Sequence, residues 1–351
     1  MRGLSGYLGG MNDDALSGED PHVPHELAAW RLTSAAAPSH APPDDAEGDA
    51  RGIISLREFS VDDLRGPRRR KVLLPALLFL ATCLSTFWAG ATHWQPYEHL
   101  GNIASAQAAV MAHWPQGMLY MAAVIGILLM HEMGHFIQAV RYGVPASLPF
   151  FIPLPILMTG TMGAVIGMEG SKADRKQLFD IGLSGPLAGL VVAVPVVWLG
   201  IVNASVMMGP DKGFLYHDPL IFKLLTEYLR PELQPGQVLV KNPLLMAGWV
   251  GMLITGLNML PVSQLDGGHV LYGLFGRRAY LVARGFLIAA IAFILITEQY
   301  GWTVMLVLVT MLGVDHPRTR DDNVRLGPMR QAIGLLSLAI PIFCFIPFIL
   351  P

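Results

Sequence analysis

Residues 118–135 read MLYMAAVIGILLMHEMGH, an apolar stretch that ends in two histidines and a glutamate. The stretch belongs to an apolar run over about 117–141, which is long enough for the roughly 20 residues that a helix needs to cross a bilayer. His131 and His135 stand four positions apart, so they share one face of such a helix. The stretch therefore predicts a membrane helix that ends in two imidazoles on one side, with Glu132 beside the first.

The composition of the whole chain agrees with a membrane protein. The 351 residues are 53% hydrophobic and 14% charged, whereas soluble domains average about 25% charged residues. A net charge of −2 does not suit a nucleic-acid-binding protein, which carries clustered basic residues. The sequence predicts an all-α polytopic membrane protein with about six to seven transmembrane helices and no nucleic-acid partner. Besides 117–141, the predicted spans are roughly 72–92, 178–202, 244–262, 280–298, 302–314 and 332–350.

One apolar segment, 144–170, does not suit a spanning helix because prolines and glycines interrupt it. Non-helical backbone at membrane depth is tolerated only inside the protein or along a wet cavity. The pattern predicts a re-entrant or β-hairpin element between the second and third spans. The interrupting residues are Pro145, Pro149, Pro153, Pro155, Gly160, Gly163 and Gly167.

Residues 1–64 form a separate region of low hydrophobicity with 12 acidic side chains and four arginines. Such a composition predicts a largely disordered tail, and it resembles neither a signal peptide nor a transit peptide. The basic cluster 65–71 and later loop arginines would lie on one side of the membrane, which predicts a cytoplasmic N-terminus. We expect residues 65–351 to form the membrane domain of a multi-pass protein, in a prokaryotic cytoplasmic membrane.

The histidine pair predicts a metal site. Two imidazoles on one helix face can bind one zinc ion, and Glu132 can act as a general base on a metal-bound water. Ionisable residues within a span are also energetically costly, so their presence there indicates a function. A catalytic zinc ion usually has a third protein ligand. We predict Asp266 for this role, since it follows the span 244–262 on the same side of the membrane as His135, beyond the helix-breaking Pro261.

These residues resemble the site-2 protease family of intramembrane zinc metalloproteases. The family has an HExxH motif on one span, here residues 131–135, and an Asn-Pro-Leu-Asp-Gly motif on another, here matched by Asn258, Pro261 and Leu265–Gly267. Further similarity lies in 160–164, 185–189 and 315–317, so the resemblance covers about 72–330. The loop 203–242 is too short for the PDZ domain of many relatives, which indicates the PDZ-free branch.

The resemblance implies regulated intramembrane proteolysis by a zinc metalloendopeptidase with one Zn²⁺ per chain. His131, His135 and Asp266 would hold the metal, Glu132 would be catalytic, and Asn258 would bind the substrate or the developing oxyanion. A helix–helix hydrogen bond is the alternative role for Asn258. The substrate would be a transmembrane protein, usually already shortened by another protease, and both a monomer and a homodimer stay open.

Two other functions compete with this interpretation. A membrane-bound zinc protease could act on cytosolic segments, although such enzymes usually take their third ligand from a glutamate on a helix outside the membrane. A metal-ion transporter could use the same side chains as a relay, although we find no repeated halves of the kind common in transporters. We expect His269 to have a structural role near the metal, and His93, His99 and His113 to belong to an aromatic belt at the opposite membrane face.

Overall fold

The computed structural model describes residues 72–209, 218–262, 264–311 and 318–344, and these residues are mostly helical. The predicted acidic tail, the basic cluster 65–71 and the segment 315–317 lie outside the described residues. The helices are α1 (Leu73–Ala91), α2 (Ile103–Arg141), α3 (Arg175–Val202), α4 (Leu220–Leu229), α5 (Pro243–Asn258), α6 (Asp266–Phe275), α7 (Ala279–Thr297), α8 (Thr303–Met311), α9 (Pro328–Ser337) and α10 (Ile340–Cys344).

Four helical stretches are long and apolar enough to cross a membrane: α1, α2, α3 and the continuous stretch Asp266–Thr297 that contains α6 and α7. The described residues also contain shorter apolar helices at Pro243–Asn258, Tyr300–Met311 and Pro328–Cys344. The prediction of a mainly helical membrane protein is therefore confirmed. The predicted starts and ends of the first and third spans agree with α1 and α3 to within three residues.

Helix α2 is longer than the span predicted from hydropathy. It begins at Ile103, where the Asn102 side chain accepts a hydrogen bond from the Ser105 N–H at 3.0 Å. The backbone leaves helical geometry at His113 (φ −129°), two residues before Pro115. A proline within a helix removes a backbone donor and kinks the helix. The predicted run 117–141 thus corresponds to the straight part of α2 after this kink.

An antiparallel hairpin occupies the proline- and glycine-rich segment between α2 and α3. Its strands are β1 (Phe150–Pro153) and β2 (Thr161–Val165), and Phe150 pairs with Val165. The tip of the hairpin is fixed to the first two helices. The Ser85 hydroxyl donates to the Gly160 carbonyl at 2.6 Å, and the Tyr120 hydroxyl donates to the Thr159 carbonyl at 3.0 Å.

Helix α3 lies at the centre of the membrane domain and contacts α2, α5 and α6. It begins with a capping box, in which the Asp174 carboxylate accepts from the Gln177 N–H and the Gln177 side chain accepts from the Asp174 N–H. A capping box satisfies two backbone donors that a helix start would otherwise leave free. The start of α3 is therefore sharply defined, three residues before Leu178 begins its buried face.

A small unit follows α3 at the opposite end of the domain from the histidine pair. Strands β3 (Val206–Met208) and β4 (Gln237–Leu239) pair antiparallel, and the amphipathic α4 lies between them in sequence. The Arg230 guanidinium donates to the carbonyls of Ile201 and Ala204 at 3.1 and 2.9 Å. The arginine thus adds hydrogen bonds to two carbonyl groups at and just after the end of α3.

Candidate metal centre

The predicted ligands from two distant parts of the chain meet in the structure. The Nε2 atom of His131 lies 3.1 Å from one carboxylate oxygen of Asp266, and Nε2 of His135 lies 3.3 Å from the other. One donor atom from each of the three residues lies within 4.8 Å of the others. The rings of His131 and His135 have their centroids 5.1 Å apart. Three donors are therefore arranged around one point.

A tight turn brings Asp266 to this point. Helix α5 ends at Asn258, and after the turn the chain starts α6 at Asp266 itself. A Cβ atom at Gly267 would lie 2.1 Å from the carbonyl oxygen of Met259. Only glycine permits so close an approach of two backbone segments. The glycine after Asp266 is thus required by the turn that returns the carboxylate to the histidines.

The backbone of α3 supports His135 from the side opposite to Asp266. Nδ1 of His135 donates to the carbonyl of Ile181 at 2.8 Å. Because a neutral imidazole with a proton on Nδ1 has its lone pair on Nε2, this hydrogen bond leaves Nε2 free to bind a metal. The Ser184 hydroxyl adds a hydrogen bond to the Gly134 carbonyl of α2 at 3.0 Å. Metal-binding histidines are commonly oriented by such hydrogen bonds.

Glu132 and Asn258 lie beside the three donors. Glu132 is 4% exposed and His131 is 2% exposed, so both are largely removed from water. The Asn258 amide nitrogen lies 3.4 Å from Nε2 of His131. The structure thus brings all five predicted site residues together. His269 lines the same cavity, whereas the His93 and His113 rings pack against each other elsewhere, with centroids 4.2 Å apart.

A cavity of about 350 Å³ opens onto the site. One wall is polar and contains His131, Glu132, His135, Asn258 and Asp266. Residues 164–168, which are the end of β2 and its continuation, also line the cavity, together with apolar residues. The apolar residues include Ala139, Ile181 and Leu265. The site thus combines ionisable groups with room for a peptide segment.

The donor set fits zinc. Two imidazole nitrogens and one carboxylate are a usual set for catalytic zinc, which keeps a further position for water. All three donor residues line the cavity. His131, His135 and Asp266 would hold the ion, in agreement with the sequence prediction.

Comparison with known proteins places the chain in a family. Residues 119–297, just over half of the chain, match the model of Peptidase family M50. The chain belongs to this family of membrane metallopeptidases. The predicted resemblance to site-2 proteases is therefore confirmed, although the matched region is narrower than the predicted 72–330.

Two plant proteins illustrate the similarity. The chain is 37% identical over 164 residues to the probable zinc metalloprotease EGY1, chloroplastic, of Oryza sativa subsp. japonica. This alignment covers 44% of this chain and 28% of the relative. The chain is 26% identical over 236 residues to the probable zinc metalloprotease EGY2, chloroplastic, of Arabidopsis thaliana. This second alignment covers 66% of this chain and 41% of the relative. The chain thus spans less than half the length of these curated relatives. Their names support the predicted zinc, whereas the roles of the individual residues stay predictions.

Sequence reasoning missed the part of α3 in the site. The sequence assigns the segment 185–189 to the family resemblance but to no role in the site, yet its two glycines lie against the two histidine rings. Small residues repeated at helical spacing, here Gly182, Gly185 and Gly189, are a signal for close packing of membrane helices. That signal predicts a close neighbour for α3, but it does not identify α2 as the neighbour.

Proposed function

We propose that this chain is a zinc metalloendopeptidase that hydrolyses a peptide bond within or near the transmembrane segment of a membrane protein. The observation that supports this most directly is the meeting of the end of α2 with Asp266 in a buried cavity of a membrane domain. A metal-binding pair, a buried carboxylate and space for a peptide are the parts that a zinc peptidase needs. The family membership supports the same class of reaction.

The placement of the side chains supports a role for each of them. Zinc held by His131, His135 and Asp266 would supply Lewis-acid chemistry and a water molecule of lowered pKa. The Glu132 carboxylate would act as the general base of the hydrolysis and would deliver the proton to the nitrogen of the leaving amine. The Asn258 amide, beside His131, donates a hydrogen bond to the carbonyl oxygen of the substrate as negative charge develops there.

The hairpin provides a means of holding an extended substrate. The Gly167 N–H donates to the Ser147 hydroxyl at 2.9 Å, and its carbonyl accepts from the Ser147 N–H at 2.8 Å. Ile166 lies between the end of β2 and Gly167. Since the backbone groups of successive residues in an extended segment point to opposite sides, we infer that those of Ile166 point away from Ser147. Residues 164–168 also line the cavity. A substrate segment that has left its helix would add to this edge as a strand.

The arrangement in the membrane completes the proposal. The three shorter apolar helices cross the membrane together with the four long stretches, which gives seven spans, and the hairpin enters the membrane from the side of the site. The N-terminus and the site face the cytoplasm of a prokaryotic cell, because that side carries Arg141, Lys172, Arg175, Lys176, Arg277 and Arg278. The names of the two plant relatives place those proteins in the chloroplast.

A substrate with a short extramembrane part suits the cavity. About 350 Å³ accommodates a few residues of an extended chain, and a folded domain does not fit. We therefore propose a transmembrane substrate that another protease has already shortened. A homodimer of the chain stays a prediction.

A direct test combines metal analysis with cleavage. The detergent-purified full chain, Glu132→Gln, Asp266→Ala and the exposed-surface control Glu227→Gln are compared for zinc content and for cleavage of a labelled transmembrane peptide. We expect wild type and Glu227→Gln to hold about one zinc and to cut inside the apolar segment. Glu132→Gln should keep zinc and lose at least about 100-fold in rate, the size of a general-base contribution. Asp266→Ala should lose zinc.

The other outcomes separate the alternatives. Cleavage only in extramembrane segments would support the protease that acts on cytosolic regions. A zinc-loaded wild type that cuts nothing, but carries metal ions into liposomes, would support the transporter. Full activity of Glu132→Gln would contradict the assigned roles.

A further inference from the structure

A second polar network joins three helices near the metal centre. The Asp180 carboxylate of α3 accepts two hydrogen bonds from the Arg330 guanidinium of α9, at 2.8 and 3.0 Å. It also accepts a hydrogen bond from the hydroxyl of Tyr142, which directly follows α2, at 2.5 Å. The Asp180 side chain is only 14% exposed. The carboxylate is therefore held from two sides by two other helices.

This network adjoins the support of a predicted zinc ligand. Asp180 directly precedes Ile181, whose carbonyl accepts the hydrogen bond from Nδ1 of His135. Tyr142 lies two turns after His135 along α2. The position of the Asp180 carboxylate thus fixes α3 against α2 at the level where the backbone of α3 orients the imidazole.

The arginine comes from a helix outside the region that the family model matches, which ends at residue 297. Helix α9 reaches both helices that hold the ligand environment. Gly334 of α9 lies against Phe179 of α3 and Leu274 of α6, since a Cβ atom there would lie 2.7 and 3.0 Å from their side chains. Helix α6 begins with Asp266. Helix α9 therefore packs on the helix that supports His135 and on the helix that carries the carboxylate ligand.

We propose that Asp180 and Arg330 are positioning residues for the metal centre, and that α9 sets the geometry of His135 through them. The two-pronged arginine contact fixes orientation as well as distance, which a lysine at the same position cannot reproduce. The Tyr142 hydroxyl fixes the same carboxylate to the end of α2. This inference rests on the zinc site of the proposed function, and it adds a part of the chain that touches neither metal nor substrate.

The test measures the metal centre without using proteolysis. Full-length wild type, Arg330→Gln, Arg330→Lys, Asp180→Asn and Tyr142→Phe are purified in detergent. The control is Arg320→Gln, whose arginine is 61% exposed and lies 3.7 Å from Asp174. Zinc affinity is measured by competition with a chelator, the visible spectrum is recorded with Co²⁺ in place of zinc, and thermal unfolding reports the fold.

We expect Arg330→Gln and Asp180→Asn to weaken zinc binding by about 10- to 100-fold, the usual effect of removing a group that orients a metal-binding histidine. The Co²⁺ spectrum should change in the same variants, less in Arg330→Lys and Tyr142→Phe, and not in Arg320→Gln. The double variant Asp180→Asn with Arg330→Gln should bind zinc no more weakly than the more severe single variant does. The reason is that each single substitution already removes the same contact.

Two results would overturn the inference. Unchanged zinc affinity and an unchanged Co²⁺ spectrum in folded variants, with lowered unfolding temperatures, would show that the network only holds the fold together. If Arg330→Gln does not fold, Arg330→Lys and Tyr142→Phe decide the matter by the same two measurements. A wild type that binds neither Zn²⁺ nor Co²⁺ would overturn the proposed function itself, and this inference with it.

Discussion

Gly185 of α3 leaves the space that the imidazole of His135 occupies: a Cβ atom on Gly185 would lie 2.0 Å from Nε2 of His135. This Nε2 atom of His135 is also the atom that faces the Asp266 carboxylate. We therefore expect Gly185→Ala to displace the ring and to weaken zinc binding by about 100-fold, the upper end of the range for a disturbed ligand orientation. Zinc affinity of the purified protein checks this.

The matched control for this change is Gly126→Ala. Gly126 lies on α2, the same helix as His135, and a Cβ atom there would have nothing within 4 Å. The control should bind zinc as wild type does. Equal zinc affinity of Gly185→Ala and Gly126→Ala would mean that the ring has another position from which it can bind the metal.

Zinc should also stabilise the fold, because its three predicted ligands join α2 to the start of α6. A ligand that binds only the folded state at 100 times its Kd adds about 2.7 kcal/mol to the free energy of unfolding. We expect zinc to raise the unfolding temperature of the metal-free wild type, and to leave that of Asp266→Ala unchanged. Asp321→Ala, which removes an exposed carboxylate, should respond to zinc as wild type does. An equal response of Asp266→Ala would place the metal elsewhere.

The residues of the metal centre could be predicted from the sequence because their signal is local. His131 and His135 are four residues apart within one helix, and Asp266 follows an apolar run whose end is set by hydropathy. Long apolar runs likewise predict α1 and α3 well. In each case, the period of a helix or the thickness of a membrane determines the pattern.

The supporting contacts could not be predicted because they depend on how distant helices pack. The partner of Asp180 is 150 residues away in sequence, and nothing in the local pattern around Arg330 identifies it. The contact between Gly185 of α3 and His135 of α2 could not be predicted for the same reason. Hydropathy also missed the first part of α2, since it detects a span and does not detect the helix before the kink at His113.

The loop after α8 should contribute stability that depends on pH. Burial would raise the pKa of Asp322, but hydrogen bonds from Thr319 and Tyr272, at 2.6 and 2.8 Å, lower this pKa below its usual range. A carboxyl with a lowered pKa in the folded state stabilises the fold above its unfolded pKa of about 3.9, and this contribution is lost as the pH falls further.

We therefore expect Asp322→Asn to lower the unfolding temperature at pH 7 by no more than about 4 °C, as a change near 1 kcal/mol does in domains of 150–250 residues. The difference from wild type should shrink below about pH 4. Thermal unfolding between pH 3 and pH 7 measures this, with the exposed-surface variant Glu227→Gln as control. A difference that is constant over this range would show that the charge of Asp322 is not involved.

The edge formed by Ile166 allows the proposed strand pairing to be separated from side-chain contacts. Replacing Ile166 with proline removes the backbone N–H that points away from Ser147, whereas Ile166→Ala removes most of the side chain and keeps the N–H. If a substrate pairs with this edge, Ile166→Pro should slow cleavage of the transmembrane peptide by about 5-fold, as expected for a lost hydrogen bond worth about 1 kcal/mol.

Ile166→Ala should cut at nearly the wild-type rate, and both variants should keep zinc, because Ile166 is not among the three predicted ligands. Zinc content and unfolding temperature are measured beside the rate, so that loss of the hairpin is not mistaken for loss of pairing. If Ile166→Ala is as slow as Ile166→Pro, the cavity recognises the isoleucine side chain. If both cut at the wild-type rate, the substrate does not pair with the hairpin at this residue.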